Sequence, residues 1–431
     1  LGVKPFSPLF SFSSHHLVSP FSLASVGGLQ VGFESSDLTG SDGSSLTTWT
    51  DVFNDGNAPT QASGPAKPTV HTNQLNGFRS VRFDGSSQFL QTPSIMTSGD
   101  VSLFLIYRLI TTGTAGTNDV IADGHTAGSA MALAWQGANQ QHFTTLNGGT
   151  QLTDRYLDGA FAIVEFEFNG SSSNIWRNGI VVATGAGGAG VPDGITLGAK
   201  ADGTRFTNID VVAGALVQGI SGGDRTKLLN YWAAKYGIPV ASSAVAKFVF
   251  GTDSRTVGYR ASGNAAIATS NYPFQLTLGP NVIRKNLGFS GQTWAGWLNL
   301  NESLLLPLYD GSLPLSVAVL WDGYNDTPGG GYTARQTADL AWWACDQARA
   351  YGFFPINMSE INTSGGGTQF TAYNGFLSGE YTAHANAFIN LAGDSRLTTN
   401  TNDSSVWDTW PHLTALGYSY VANDLQATLN S

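Results

Sequence analysis

The sequence predicts a multi-domain chain, an all-β jelly-roll sandwich followed by an α/β domain of three layers built on a parallel sheet. Three observations carry this. The 431 residues suffice for two or three domains. From about residue 28 to 221 the chain runs in short apolar segments broken by Gly, Asn, Asp and Ser, the rhythm of many strands joined by turns. After residue 247 apolar runs alternate with helical patterns, the signature of a parallel sheet covered by helices.

The elements follow in order. Residues 1–27 read as an extended N-terminal arm. The stretch "LGVKPFSPLFSFSSHHLVSPFSL" has no basic n-region and no clean apolar core, so it makes a poor signal peptide. His15 and His16 lack neighbouring Cys, Asp or Glu to complete a metal site. Residues 28–239 form the sandwich, with strands at "FRSVRFDG", "SLFLIYRLI", "FAIVEFEFNG", "SNIWRNGIVVATG" and "IDVVAGALVQG". Asn178-Gly179 between two strands is a hairpin turn, because both positions tolerate positive φ. The helix in "GDRTKLLNYWAAKYGIP" closes this half, with Asp224 as its expected cap and Gly237 and Pro239 as its stop. Residues 240–246 are a linker and 247–431 the second domain. There "KFVFG", "SLPLSVAVLWDG" and "FFPIN" are strands; "ARQTADLAWWACDQARAYG", "SGEYTAHANAFINLAG" and "TALGYSYVANDLQATLN" are helices.

Composition narrows the function. Twenty Lys and Arg against 30 Asp and Glu give a net charge of −10, which disfavours a nucleic-acid partner. Charged residues make up 12% of the chain, half the usual share of about 25%. The surface must therefore be largely uncharged and polar, as in secreted, sugar-handling or virion proteins; an extracellular or virion-surface location is expected. No apolar run approaches the roughly 20 residues of a membrane span, so no membrane insertion is expected. The single cysteine, Cys345, excludes an intrachain disulfide and reads as a small buried hydrophobe.

Two motifs mimic known sites. "GAGGAG" at 185–190 has dinucleotide-loop spacing, yet turn and strand follow it where a helix would be needed. "GISGG" at 219–223 places Ser221 in a G-x-S-x-G pattern, but the helix it opens ends the sandwich, with no parallel sheet around it.

The second half holds the groups that acyl transfer by serine requires: a hydroxyl, a base, an orienting group and oxyanion donors. "TDSRTVG" sets Ser254 directly after a buried strand, with Asp253 as a turn-stabilising residue. "NLGFSGQT" brings Gly288 and Gly291, "LWDGYNDT" brings Asn325, and "VWDTWPHLTALGY" brings Asp408 and His412. His384, inside a helix, is a rival base without a nearby acid in the right motif.

These four ordered blocks resemble the SGNH, or GDSL-type, hydrolases over residues 246–431. The resemblance implies Ser254 as nucleophile, His412 as base and Asp408 as its orienting acid. It implies an oxyanion hole made by the N–H groups of Ser254 and Gly291 and the amide of Asn325, with no metal and no cofactor. Two departures stand out. Thr252 replaces the usual glycine and should crowd the turn slightly. "DTWPH" has three residues between Asp and His where the family has two; a bulged turn at Pro411 would let Asp408 reach His412, and otherwise Thr409 occupies the acid's place and a dyad remains. The first half, through "SLTTWTDVFNDGNAPTQ", "NGFRSVRFDGSSQFL", "RNGIVV" and "LLNYWAAKYGI", resembles concanavalin A-like, laminin-G-like jelly rolls, which implies glycan binding or attachment. The expectation is a serine esterase that removes acyl groups from a polysaccharide or other glycan ester. The alternative is a structural or adhesive virion or cell-surface protein with a vestigial site. Homo-oligomer formation or virion assembly belongs to either reading.

Overall fold

The computed structural model describes residues 21–95, 97–111, 118–136, 142–155, 159–258, 271–327, 331–361, 367–398, 403–409 and 411–431. Residues 1–20 of the expected arm, with His15 and His16, lie outside them. Residues 21–27 pack onto the first half, where Leu23 and Val26 are buried.

That first half consists of two antiparallel sheets. One has eight strands, with Val101–Thr111 and Asn208–Gln218 at its centre and Ile180–Gly185 and Thr69–Leu75 toward its edges. The other has six, from Leu90–Gln91 to Gln151–Asp154. A shared core joins Leu103, Leu105 and Tyr107 of the first sheet to Ile121, Leu146 and Leu197 of the second. Asn178 and Gly179 both have positive φ, 48° and 90°, and turn the expected hairpin between Ser173–Arg177 and Ile180–Gly185.

Helix α1 (Gly222–Tyr236) covers the outer face of the eight-stranded sheet. Phe104 and Ile106, alternating with Leu103 and Leu105, meet Leu228, Trp232 and Tyr236 there. With both faces covered, "SLFLIYRLI" is a continuous apolar run and not an alternating one. The expected cap is corrected: Ser221 is the N-cap and accepts the N–H of Asp224 at 3.1 Å. The hydroxyl of the G-x-S-x-G serine is thus occupied in capping. Glu34 ties α1 down, accepting hydrogen bonds from Trp232 Nε1 (3.0 Å), Tyr231 Oη (3.0 Å) and Lys235 Nζ (2.9 Å).

The second half is built on five parallel strands: β1 (Ala246–Thr252), β2 (Val282–Asn286), β3 (Leu315–Trp321), β4 (Phe354–Met358) and β5 (Ala387–Ile389). Their spatial order is β2-β1-β3-β4-β5. Its helices are α2 (Ser254–Val257), α3 (Trp294–Leu304), α4 (Ala334–Ala350), α5 (Gly367–His384) and α6 (Ala415–Leu429). Phe248, Phe250 and Val319 pack with Tyr418, Val421 and Leu425 of α6 on one face. Val249, Ala318 and Leu320 pack with Trp297, Ala341, Cys345 and Leu377 on the other. Cys345 is buried, as expected.

The helix expected across "SGEYTAHANAFINLAG" is corrected. Helix α5 begins earlier and stops at His384, and Ala387–Ile389 becomes edge strand β5 because it pairs with Ile356–Met358. Strand β2 and helix α3, unassigned from sequence, complete the fold. The direction of succession reverses between β1 and β3, and crevices at the carboxyl ends of such a switch point hold ligands.

Replacing Glu34 with Ala removes the acceptor shared by Trp232, Tyr231 and Lys235. Chemical denaturation should show a loss of about 3 kcal/mol, the low end for breaking a buried ion pair, because Lys235 keeps some water contact.

Candidate active site

Ser254 is the first residue of α2, placed where β1 ends at the switch point. Its N–H has no acceptor inside the helix, as at every helix start. Asp253 is the N-cap and accepts the N–H of Arg255 at 2.9 Å. Gly258, with φ of 85°, ends the turn after four residues. The turn is strained in a way that "slight crowding" understates. Thr252 has φ of 97°, an outlier for a β-branched residue. Its hydroxyl donates to the carbonyl of Trp321 and accepts the N–H of the same residue at 3.2 Å, which binds the strained position to β3.

His412 reaches this turn from a two-stranded hairpin, β6 (Trp407–Thr409) and β7 (His412–Leu413). Its Nε2 lies 3.1 Å from Ser254 Oγ. With the proton on Nδ1, Nε2 accepts the serine O–H, the arrangement a general base needs. Burial pushes the imidazole down to about 4; the carboxylates of Asp253 and Asp408 oppose that shift and the Arg255 guanidinium reinforces it. The hairpin pairs Trp407 with Leu413 and Thr409 with His412. The extra residue of "DTWPH" is therefore absorbed as a bulge at Asp408, one strand earlier than the expected turn at Pro411. Bulges re-aim side chains beside active sites. Asp408 is exposed, and its charge favours the imidazolium less than that of Asp253 does.

The loop after β2 runs alongside β1. The N–H groups of Leu287 and Phe289 donate to Phe250 and Thr252 at 2.7 and 2.8 Å. A Cβ at Gly288 would lie 2.3 Å from the backbone nitrogen of Val257, so only glycine lets this loop touch the Ser254 turn. The N–H of Gly288 is used internally, by Asn286 Oδ1 at 2.8 Å. Gly291 has φ of 76° and open space around its Cβ position. The amide of Asn325, in the turn after β3, donates to the carbonyl of Gln292 at 2.6 Å. One of its two N–H bonds thus fixes its orientation and the other is left to donate. The neighbouring Asp326 accepts the N–H of Trp294 at 3.0 Å, at the start of α3. This anion at a helix N-terminus ties the glycine loop to the asparagine turn.

The remaining candidates lie elsewhere. His384 stacks on Trp342 and bonds Asp346 at 2.8 Å, on α5 and α4, while Ser221 caps α1. Among the described residues no group of three or more His, Cys, Asp or Glu could hold a metal ion, and no helix is long and apolar enough to cross a membrane.

Sequence reasoning missed the support beneath the serine. Arg255 is buried and lies between Asp253 (Nε to Oδ2, 2.9 Å) and Glu360 (Nη2 to Oε1, 2.7 Å), with its guanidinium 4.3 Å from the centre of the Trp321 ring. Burial pushes the carboxyls of Glu360 and Asp322 up, that of Asp322 well above the usual range, and moves Asp326 up to about 6. The only sequence signal was an arginine directly following the serine; nothing in the sequence joined it to Glu360.

No family model matches the chain, and no curated protein sequence matches it. A β-sandwich followed by a parallel α/β half, with His412 meeting Ser254 at the carboxyl end of that half's first strand, is the class that fold and geometry define. Solved structures similar to this chain include a member of the lipolytic protein G-D-S-L family from Veillonella parvula, 17% identical, covering 43% of this chain and 98% of that one, with a TM-score of 0.37. An acetyl xylan esterase, AlAXEase, is 16% identical and covers 42% of this chain and 99% of its own, with a TM-score of 0.34. Domain 4 of AbnA, an extracellular arabinanase from Geobacillus stearothermophilus in complex with arabinotriose, is 13% identical and covers 47% of this chain and 99% of its own, with a TM-score of 0.35.

Because burial lowers its proton affinity, His412 should stay neutral until about pH 4 in an NMR titration of the folded protein. The sign for stability follows. Between the ordinary histidine value near 6.5 and about 4 the unfolded chain binds the proton and the folded chain does not. This histidine's contribution is therefore complete above the upper value and lost as pH falls to the lower one. A titration midpoint at or above the ordinary value would contradict the geometry.

Proposed function

We propose that the protein is a serine esterase of SGNH type that removes acyl groups, acetyl first among them, from a polysaccharide. The observation that carries this reading is the 3.1 Å contact between Ser254 Oγ and His412 Nε2 at the switch point of the parallel sheet. Ser254 Oγ attacks the ester carbonyl while His412 takes its proton. The N–H groups of Ser254 and Gly291 and the amide of Asn325 receive the oxyanion. Collapse of the tetrahedral species expels the alcohol, which takes the proton from His412. Water, deprotonated by the same imidazole, then frees the acid and restores the serine.

In this reading Asp408 stabilises the imidazolium and Asp253 adds a second negative charge. The first half, read as a concanavalin A-like jelly roll over 28–239, holds the glycan near the site, and the protein works outside a cell or on a virion surface. The low charged fraction of 12% supports that placement and equally supports a role in assembly. The structural or adhesive alternative differs at one point, the reactivity of Ser254.

Hydrolysis of p-nitrophenyl acetate should be abolished in Ser254→Ala, and a serine-reactive phosphonate should label Ser254 in the wild type. Labelling at Ser221, or activity that survives Ser254→Ala, would defeat the esterase reading; an inert and unlabelled wild type would favour the adhesive one.

Asp408→Asn should lower kcat by roughly 10- to 100-fold, short of the ~10⁴ of a tight triad, because the exposed carboxylate is screened. Its charge raises the proton affinity of His412, so the acid limb of kcat/KM should also move to lower pH. Unchanged kcat together with an unchanged acid limb would remove Asp408 from the mechanism.

A further inference from the structure

The proposed oxyanion loop begins at a strand of the parallel sheet that the first half grips. Lys285, next to last in β2, is buried and ion-paired with Asp154, whose side chain is fully buried at the end of sandwich strand Gln151–Asp154. Its Nζ also donates to the carbonyl of Val182 in a second sandwich strand at 2.6 Å, and Arg177 Nη2 stands 3.5 Å from the same aspartate. Three charges in so dry a place are costly to desolvate, which only close pairing offsets. The contact therefore tolerates little sliding between the halves.

Asn286 continues the grip. Its N–H donates to the carbonyl of Arg155 at 3.0 Å. Its side chain points the other way, toward the reacting groups. Nδ2 donates to the carbonyl of Thr256 in the nucleophile turn at 2.8 Å, and Oδ1 accepts the N–H of Gly288 at 2.8 Å. One residue thus touches the sandwich, the serine helix and the glycine loop.

We propose that Lys285 and Asn286 are positioning residues, and that the sandwich, through Asp154 and Arg155, anchors the loop that carries Gly291. The first half is then part of the catalytic apparatus as well as a candidate glycan holder. This rests on the esterase reading, in which Gly291 N–H receives the oxyanion.

The test uses the full-length protein with Asp154→Asn, Lys285→Met, their combination and Asn286→Ser, and Ser254→Ala as the reference for background. Each is assayed on p-nitrophenyl acetate well below its melting temperature, with kcat and KM measured separately. Displacing an oxyanion donor weakens the transition state more than the ground state. The variants should therefore lose roughly 10- to 100-fold in kcat, as for a misplacement of about 1 Å, with KM little moved. The double variant should be no worse than the poorer single one, because both act through one contact. Asn286→Ser, which changes no charge, keeps the test open should the ion-pair variants fail to fold. Folded Lys285→Met and Asn286→Ser with wild-type kcat would overturn the positioning role while Ser254-dependent hydrolysis remained. A wild type without Ser254-dependent hydrolysis would instead overturn the esterase reading and this inference with it.

Discussion

A guanidinium closed off from water sits one residue beyond the serine. Arg255 is 1% exposed, and a charge so placed is tolerated only if its partners saturate it. Asp253 comes from the end of β1, Glu360 from the segment after β4, and the Trp321 ring beneath it from the end of β3. The arginine therefore ties together the carboxyl ends of three adjacent strands. Asn374 Oδ1 accepts the N–H of Glu360, and its Nδ2 donates to the carbonyl of the same residue, so helix α5 joins the arrangement. The Ser254 turn rests on this network, and its charges reach His412: the field of Asp253 favours the imidazolium and that of Arg255 opposes it.

Strain is stored in the same place. A threonine at φ of 97° costs on the order of 1–3 kcal/mol and persists only where its surroundings impose it. Here the hydroxyl bonds both backbone groups of Trp321, so the side chain that makes the conformation costly also anchors it. Glycine would relieve the φ and lose the anchor. Threonine at this position is thus a trade between backbone freedom and attachment to β3.

The loops around the serine are stitched by bonds that each use at least one backbone group. Phe289 pairs with Thr252, Asn325 holds the carbonyl of Gln292, and Asp326 receives the first N–H of α3. Such bonds leave few adjustable side chains between Ser254, Gly291 and Asn325. An oxyanion site needs this stiffness, since donors that must reorganise during the reaction forfeit much of their effect.

The sequence by itself determined the two rhythms, and with them a sandwich of antiparallel strands followed by strands alternating with helices. It also determined local chemistry: the Asn178-Gly179 hairpin, the stop of α1 at Gly237, and the serine at a strand end. These are local because turn residues and strand periodicity act within a few positions. It misjudged "HANAFINLAG" as helix, since Ala387–Ile389 becomes a strand only by pairing with β4. It misplaced the cap of α1 by three residues, because Ser221 and Asp224 both suit a helix start. Only the tertiary structure decided that Ser254 and His412 meet across 158 residues. It alone set the extra residue of "DTWPH" as a bulge at Asp408, gave Arg255 to Glu360, and placed Lys285 against Asp154. The buried ion pairs depend on packing: a charge's partner is chosen by which surfaces close over it, a property of the packed chain that no short stretch of sequence contains.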